Sequence, residues 1–99
     1  MRIPKSFQLH AQKINIVQDN QLEHVTGNMG EARYRVNEIA LQPNNKGVEY
    51  PSSQLEQVFY HELVHWILHH MEEKDLRSNE KFVEGFSQLL HQALITAKY

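Results

Sequence analysis

The sequence predicts an α+β domain in which a small sheet is followed by helices, and three observations predict it. Up to residue 42, apolar residues alternate with polar ones over short stretches, which is a strand pattern. After Pro51, apolar residues recur three and four apart, which is a helical pattern. No repeat, low-complexity tract or shift in composition divides the 99 residues, so 1–99 reads as one domain with one thin core.

The elements follow in order. Phe7 and Leu9 alternate with polar neighbours, as do Ile14 and Ile16, giving two short strands joined by a turn near His10-Ala11-Gln12. Residues 18–30 are polar and carry Gly27, Asn28 and Gly30, a loop composition. Tyr34, Val36, Ile39 and Leu41 do not keep a single alternating phase. This predicts a strand near 31–35, a turn, and a further strand near 37–42, for three or four short strands in an antiparallel or mixed sheet. Residues 43–51 read as a loop or flap.

The first long helix is expected to start at a capping box, Ser53-Gln54-Leu55-Glu56 behind Pro51, and to run to about Met71. On its wheel, Phe59, Tyr60, Leu63, Val64, Trp66, Ile67, Leu68 and Met71 cover most of the circumference. His61, Glu62, His65 and His69 share the remaining arc with Gln54, Val58 and Glu72. Residues 72–77 form a charged connection, and Ser78 or Asn79 can cap a second helix over roughly 79–97. Its apolar stripe is Phe82, Phe86, Leu89, Leu90, Ala93 and Ala97, with Glu80, Glu84, Ser87 and His91 opposite. Trp66, Phe82 and Phe86 are expected in the core, and His91 at the surface.

Composition narrows the function. A net charge of −2 gives no electrostatic case for nucleic acid or an anionic membrane. No apolar run approaches the ~20 residues that span a bilayer, and Met1 to Gln12 lacks an apolar signal core. The expectation is a soluble, cytoplasmic protein. Without cysteine, any metal must be held by His and carboxylate groups.

His61-Glu62-Leu63-Val64-His65 spells H-E-x-x-H inside the apolar helix. Residues four apart lie on one helical face, so both imidazoles can aim at one ion, and Glu62 can reach a water beside it. Burying His and Glu on such a helix is costly unless something satisfies them, and a metal does so. A catalytic zinc site takes three protein ligands. Position 71 is Met and position 68 is Leu, which does not fit H-E-x-x-H-x-x-G-x-x-H. His69 continues the series, but it stands ~12 Å from His61 along a straight helix. A carboxylate from the second helix remains.

Here the chain resembles the gluzincins, metallopeptidases with two His and one Glu as ligands. In gluzincin aminopeptidases the third ligand follows the second His after eighteen residues, within N-E-G-F-A. Eighteen intervening residues separate His65 from Glu84, in Val83-Glu84-Gly85-Phe86-Ser87, with Val83 where Asn is usual. Asn79-Glu80 with Glu84 four residues on is also similar to the thermolysin N-E-x-x-x-D pattern, a register that makes Glu80 the ligand and Glu84 its support. The resemblance ranks Glu84 ahead of Glu80. It covers about residues 54–94. The run His61 to His69 also resembles the H-E-x-x-H-x-x-L-H helix of short phage and prophage metallopeptidases, including the ImmA/IrrE-like group, although that group's Ala-Asn pair is missing from the second helix.

The resemblance implies a minimal zincin-like domain with an active-site helix and a ligand-bearing second helix. It implies Zn²⁺ held by His61, His65 and Glu84, with Glu62 as general base in the hydrolysis of a peptide or protein substrate. It also implies a substrate-binding edge strand, placed at Asn37 to Gln42. An oxyanion-stabilising residue is expected among Tyr34, Tyr50, Tyr60 and His91. The alternatives are a non-catalytic zinc-stabilised binding module, or a regulator that cleaves a single partner protein.

Overall fold

The computed structural model describes residues 3–99; Met1 and Arg2, included in the one-domain reading, lie outside the described residues. The chain folds as a small α+β domain, with a four-stranded sheet followed by helices. The strands are β1 (Ser6–Leu9), β2 (Gln12–Gln18), β3 (Gly30–Arg33) and β4 (Glu38–Leu41). They lie side by side in the order β1-β2-β4-β3. The β1–β2 and β3–β4 pairs are antiparallel, and β2–β4 is parallel. The polar stretch after β2 contains one short helix, α1 (Leu22–Thr26), closed by Gly27 at φ 79°. Residues 43–51 hold a two-residue ladder, β5 (Asn44–Asn45) against β6 (Val48–Glu49).

The inner position of β4 follows from its sequence. Ile39, Ala40 and Leu41 are all buried, so this strand is covered on both faces and needs neighbours on both sides. The polar Gly-Glu-Ala-Arg segment of β3 tolerates an edge, where charged residues discourage further pairing. The edge strand expected at Asn37 to Gln42 is therefore replaced by β3.

Helix α2 (Ser52–His70) packs against the sheet through β3 and β4. Between them lies the main core of Ile14, Ile39, Leu41, Leu55, Phe59 and Trp66. Trp66 is fully buried, and its Nε1–H donates to the Glu38 carbonyl at 3.1 Å, which satisfies the one polar atom that burial would strand. The helix begins at Ser52 behind Pro51, with no side-chain cap. Ser53 thus sits inside the first turn, and the expected capping box does not form.

The charged connection contains a short helix, α3 (Lys74–Arg77), before α4 (Glu80–Thr96). Asn79 caps α4, its side-chain oxygen accepting from the Phe82 N–H at 3.1 Å. A second cluster, Val64, Leu68 and Val83, seals α2 against α4. Helix α4 is turned part-way from the expected orientation, with Phe82 and Leu90 still packed against the second cluster. Val83, Ser87 and His91 face inward and are buried, whereas Phe86 and Leu89 are 50% and 69% exposed. The reason is polar matching. The polar arc of α2 faces α4, and buried polar groups need polar partners, so α4 turns Ser87 and His91 in and leaves Phe86 and Leu89 outside. Among the described residues no helix is long and apolar enough to cross a membrane.

Candidate metal centre

His61 and His65 lie one turn apart on α2, on the arc that meets the first turn of α4. The Asn79 cap fixes where that turn begins, and so where Glu80 stands. Glu80 bridges the two rings: one carboxylate oxygen is 3.1 Å from His61 Nε2 and the other is 3.0 Å from His65 Nε2. The donor atoms of His61, His65 and Glu80 all lie within 4.8 Å of one another, a group that could hold a metal ion. The donor chemistry fits. Two nitrogens and a carboxylate are a catalytic zinc set, and donors ~2.0–2.1 Å from one ion stand roughly 3 Å apart.

Glu84 was expected as the third donor and takes another place. One helical turn beyond Glu80, its carboxylate lies 3.0 Å from His61 Nδ1, the ring nitrogen that faces away from Glu80. Such a contact fixes the tautomer and orientation of a ligating imidazole. The N-E-x-x-x-D register, rather than the E-G-F spacing, describes this arrangement.

Glu62 is 8% exposed, beneath the edge strand. The close approach depends on Gly30, where a Cβ would come within 2.5 Å of Val58 Cγ1 and 3.1 Å of the Glu62 side chain. Burial pushes the Glu62 carboxyl up to about 7. The negative charges of Glu80 and Glu31 act in the same direction, against His61 and a hydrogen bond from the Ala32 backbone N–H. Burial also holds His65 below its ordinary value, which favours the neutral imidazole that a metal requires.

These groups open into a cleft of about 610 Å³, whose walls include Gly30, Glu31 and Ala32 of β3 together with Tyr34, Gln57 and Glu84. The β3–β4 ladder pairs Met29 with Gln42 through a 2.9 Å bond from the Gln42 N–H. Alternation along an antiparallel pair then turns the N–H and C=O groups of Gly30 and Ala32 away from β4, toward the open edge.

Of the four candidates for oxyanion stabilisation, Tyr34 lines the cleft. Its ring stacks on His69 with centroids 4.2 Å apart, and the Arg77 guanidinium lies 5.2 Å from its centre. Arg77 Nη1 donates to His69 Nδ1 at 2.6 Å, which occupies His69 away from the metal group. Burial pushes the Tyr34 phenol up to about 12, so it stays a hydrogen-bond donor. Tyr50 instead donates to Glu23, and Tyr60 stacks on His91 at 4.9 Å.

His91, expected at the surface, joins a second polar group at the far end of the α2–α4 seam. Its Nδ1 meets Gln57 Oε1 at 3.0 Å and its Nε2 meets Glu56 Oε1 at 3.4 Å. Gln57 Nε2 donates to Ser87 Oγ at 3.1 Å, and Ser87 donates to the Glu84 carbonyl at 3.1 Å. The sequence signal for this group was the polar spacing Glu84, Ser87, His91 on α4, facing Gln57 at i−4 from His61 on α2. No family model, no curated protein and no solved structure matches the chain.

Proposed function

We propose that this chain is a zinc-dependent peptidase acting on extended polypeptide. One observation carries the reading: a buried carboxylate, Glu62, adjoins two imidazoles and a second carboxylate in an open cleft beside an edge strand. His61 and His65 through Nε2, with Glu80, would hold the ion, and Glu84 would orient His61. When bound, such an ion lowers the pKa of water toward ~7 and polarises a carbonyl.

The remaining work falls to the chain. Glu62 accepts the proton of the attacking water on its carboxylate and returns it to the leaving amine. The outward Gly30 N–H and C=O and the Ala32 C=O align the substrate as an added strand, while the Ala32 N–H is held by Glu62; this favours unfolded or extended segments over folded surfaces. The Tyr34 O–H donates to the oxygen that becomes negative as the carbonyl is attacked. Its contacts with the His69 ring, the Arg77 guanidinium and the edge-on Trp66 hold the ring without demanding reorganisation during the reaction.

The test pairs elemental mass spectrometry with hydrolysis of an unstructured protein such as casein. The native chain and Glu62→Gln should each carry about one zinc, and only the native chain should cleave. Cleavage by Glu62→Gln at the native rate overturns the mechanism. Zinc in both with cleavage by neither turns the reading toward a metal-stabilised binding module.

A further inference from the structure

The turn between β1 and β2 carries a feature that the cleft does not explain. His10 and Ala11 both adopt left-handed backbone conformations, with φ of 49° and 65°. A two-residue hairpin turn of this kind favours Asn-Gly, because a Cβ disfavours positive φ at both positions. The turn therefore keeps a histidine where asparagine or glycine would be easier, and it delivers that histidine to the end of α2. His10 Nδ1 lies 3.1 Å from Nδ1 of His70, the last residue of α2. The His70 ring packs against Trp66, centroids 5.8 Å apart, and its Nε2 is enclosed with no hydrogen-bond partner.

We propose that His10 and His70 form a second transition-metal site, separate from the cleft, that ties the β1–β2 turn to the C-terminus of α2. Two nitrogens each ~2.0–2.1 Å from one ion stand roughly 3 to 3.4 Å apart, which matches the observed separation. Two neutral imidazoles facing through Nδ1 can share only one proton, whereas an ion accepts both lone pairs. The location adds to this, since the C-terminal end of a helix carries partial negative charge and favours a cation. Imidazole donors suit Zn²⁺, Ni²⁺ and Cu²⁺. Among the described residues no third His, Asp or Glu donor completes a cluster here, so water fills the remaining positions. The site is exposed on the His10 side and fits an exchangeable ion that braces the sheet against the helix.

The experiment is a calorimetric titration of the full chain with Ni²⁺, repeated with Zn²⁺, in the His65→Ala background so that the cleft does not compete. About one ion per chain should bind, and uptake should be lost in both His10→Asn and His70→Gln. Asparagine keeps the left-handed turn while removing the ring, so His10→Asn tests ligation rather than folding, with circular dichroism as the check. Paramagnetic Ni²⁺ should broaden the ring resonances of His10 and His70 before those of the other histidines. Absence of uptake, or uptake equal to the parent in both variants, overturns the proposal and leaves the peptidase reading untouched.

Discussion

The seam between α2 and α4 has two ends built from the same residue types. At one end His61 meets Glu80 and Glu84; at the other His91 meets Glu56. The first end is open, with the Glu80 and Glu84 side chains 66% and 50% exposed, whereas His91 and Glu56 are 9% and 12% exposed. Openness decides what each pair can do. The exposed carboxylates can exchange a ring contact for an ion. The enclosed pair, with Gln57 and Ser87, has neither room nor spare donors and serves as a clamp that sets the position of α4. The same chemistry thus becomes a site at one end and a fastening at the other.

The largest effect is expected at the open end. Glu80→Ala should abolish metal uptake, while Glu84→Ala should weaken it about 10- to 100-fold through the orientation of His61; equilibrium dialysis with zinc distinguishes the two. Equal losses would erase the division between holding and orienting. At the closed end, His91→Leu strands Gln57 and Glu56 in a dry seam and should cost about 3 kcal/mol in urea unfolding. Metal-free Glu80→Ala should lose less than about 1 kcal/mol. A similar cost for both would show that the closed end is no better fastened than the open one.

Glu62→Gln tests how far burial works against folding. A carboxyl raised from 4.5 to about 7 loses stability as pH rises through that window, because the folded state must then either hold the proton or bury a charge. In metal-free protein the Gln variant should therefore become more stable than the parent between pH 4.5 and about 7, by up to about 3 kcal/mol. Gly30→Ala forces β3 away from Val58 and Glu62 and should cost about 2 kcal/mol, with casein hydrolysis falling further than stability does. The smallest effect is expected outside both ends. Arg33, at the end of β3, holds the Asp19 carboxyl below its ordinary value of 3.8, with help from the Gln21 N–H. That contribution is present above this value and disappears as the pH falls through the lowered one, so acid unfolding should be shallower in Asp19→Asn.

Local signals in the chain were enough for strands followed by two long helices, the turn near His10-Ala11-Gln12, a cap at Ser78 or Asn79 and the H-E-x-x-H helix. Each is written within a few neighbouring residues. Apart from the unformed Ser53 capping box and the short helices α1 and α3, the features that differed depend on what faces what. Periodicity showed that α4 has two faces, but Phe86 and Leu89 stayed outside because the polar arc of α2 demanded Ser87 and His91. His91 looked like a surface residue because its partners, Glu56 and Gln57, are more than thirty positions away. The edge strand moved from 37–42 to β3 because pairing order is a property of the whole sheet. Glu80 and Glu84 sit one turn apart, and the choice between them depends on how α4 is set against α2, which spacing alone does not encode.

The position of Glu80 has a consequence for the timing of synthesis. A ribosome delivers the sheet and both imidazoles before the carboxylate that joins them, since α4 follows α2 in the chain. Until α4 docks, an ion meets only the paired rings of a helix whose polar arc faces water. Completion of the site is thus delayed until the second helix is released and the clamp at His91 has closed. If the peptidase proposal holds, the nascent chain carries Glu62 and both imidazoles before the Glu80 carboxylate completes the donor set, so the unfolded chain holds no complete site.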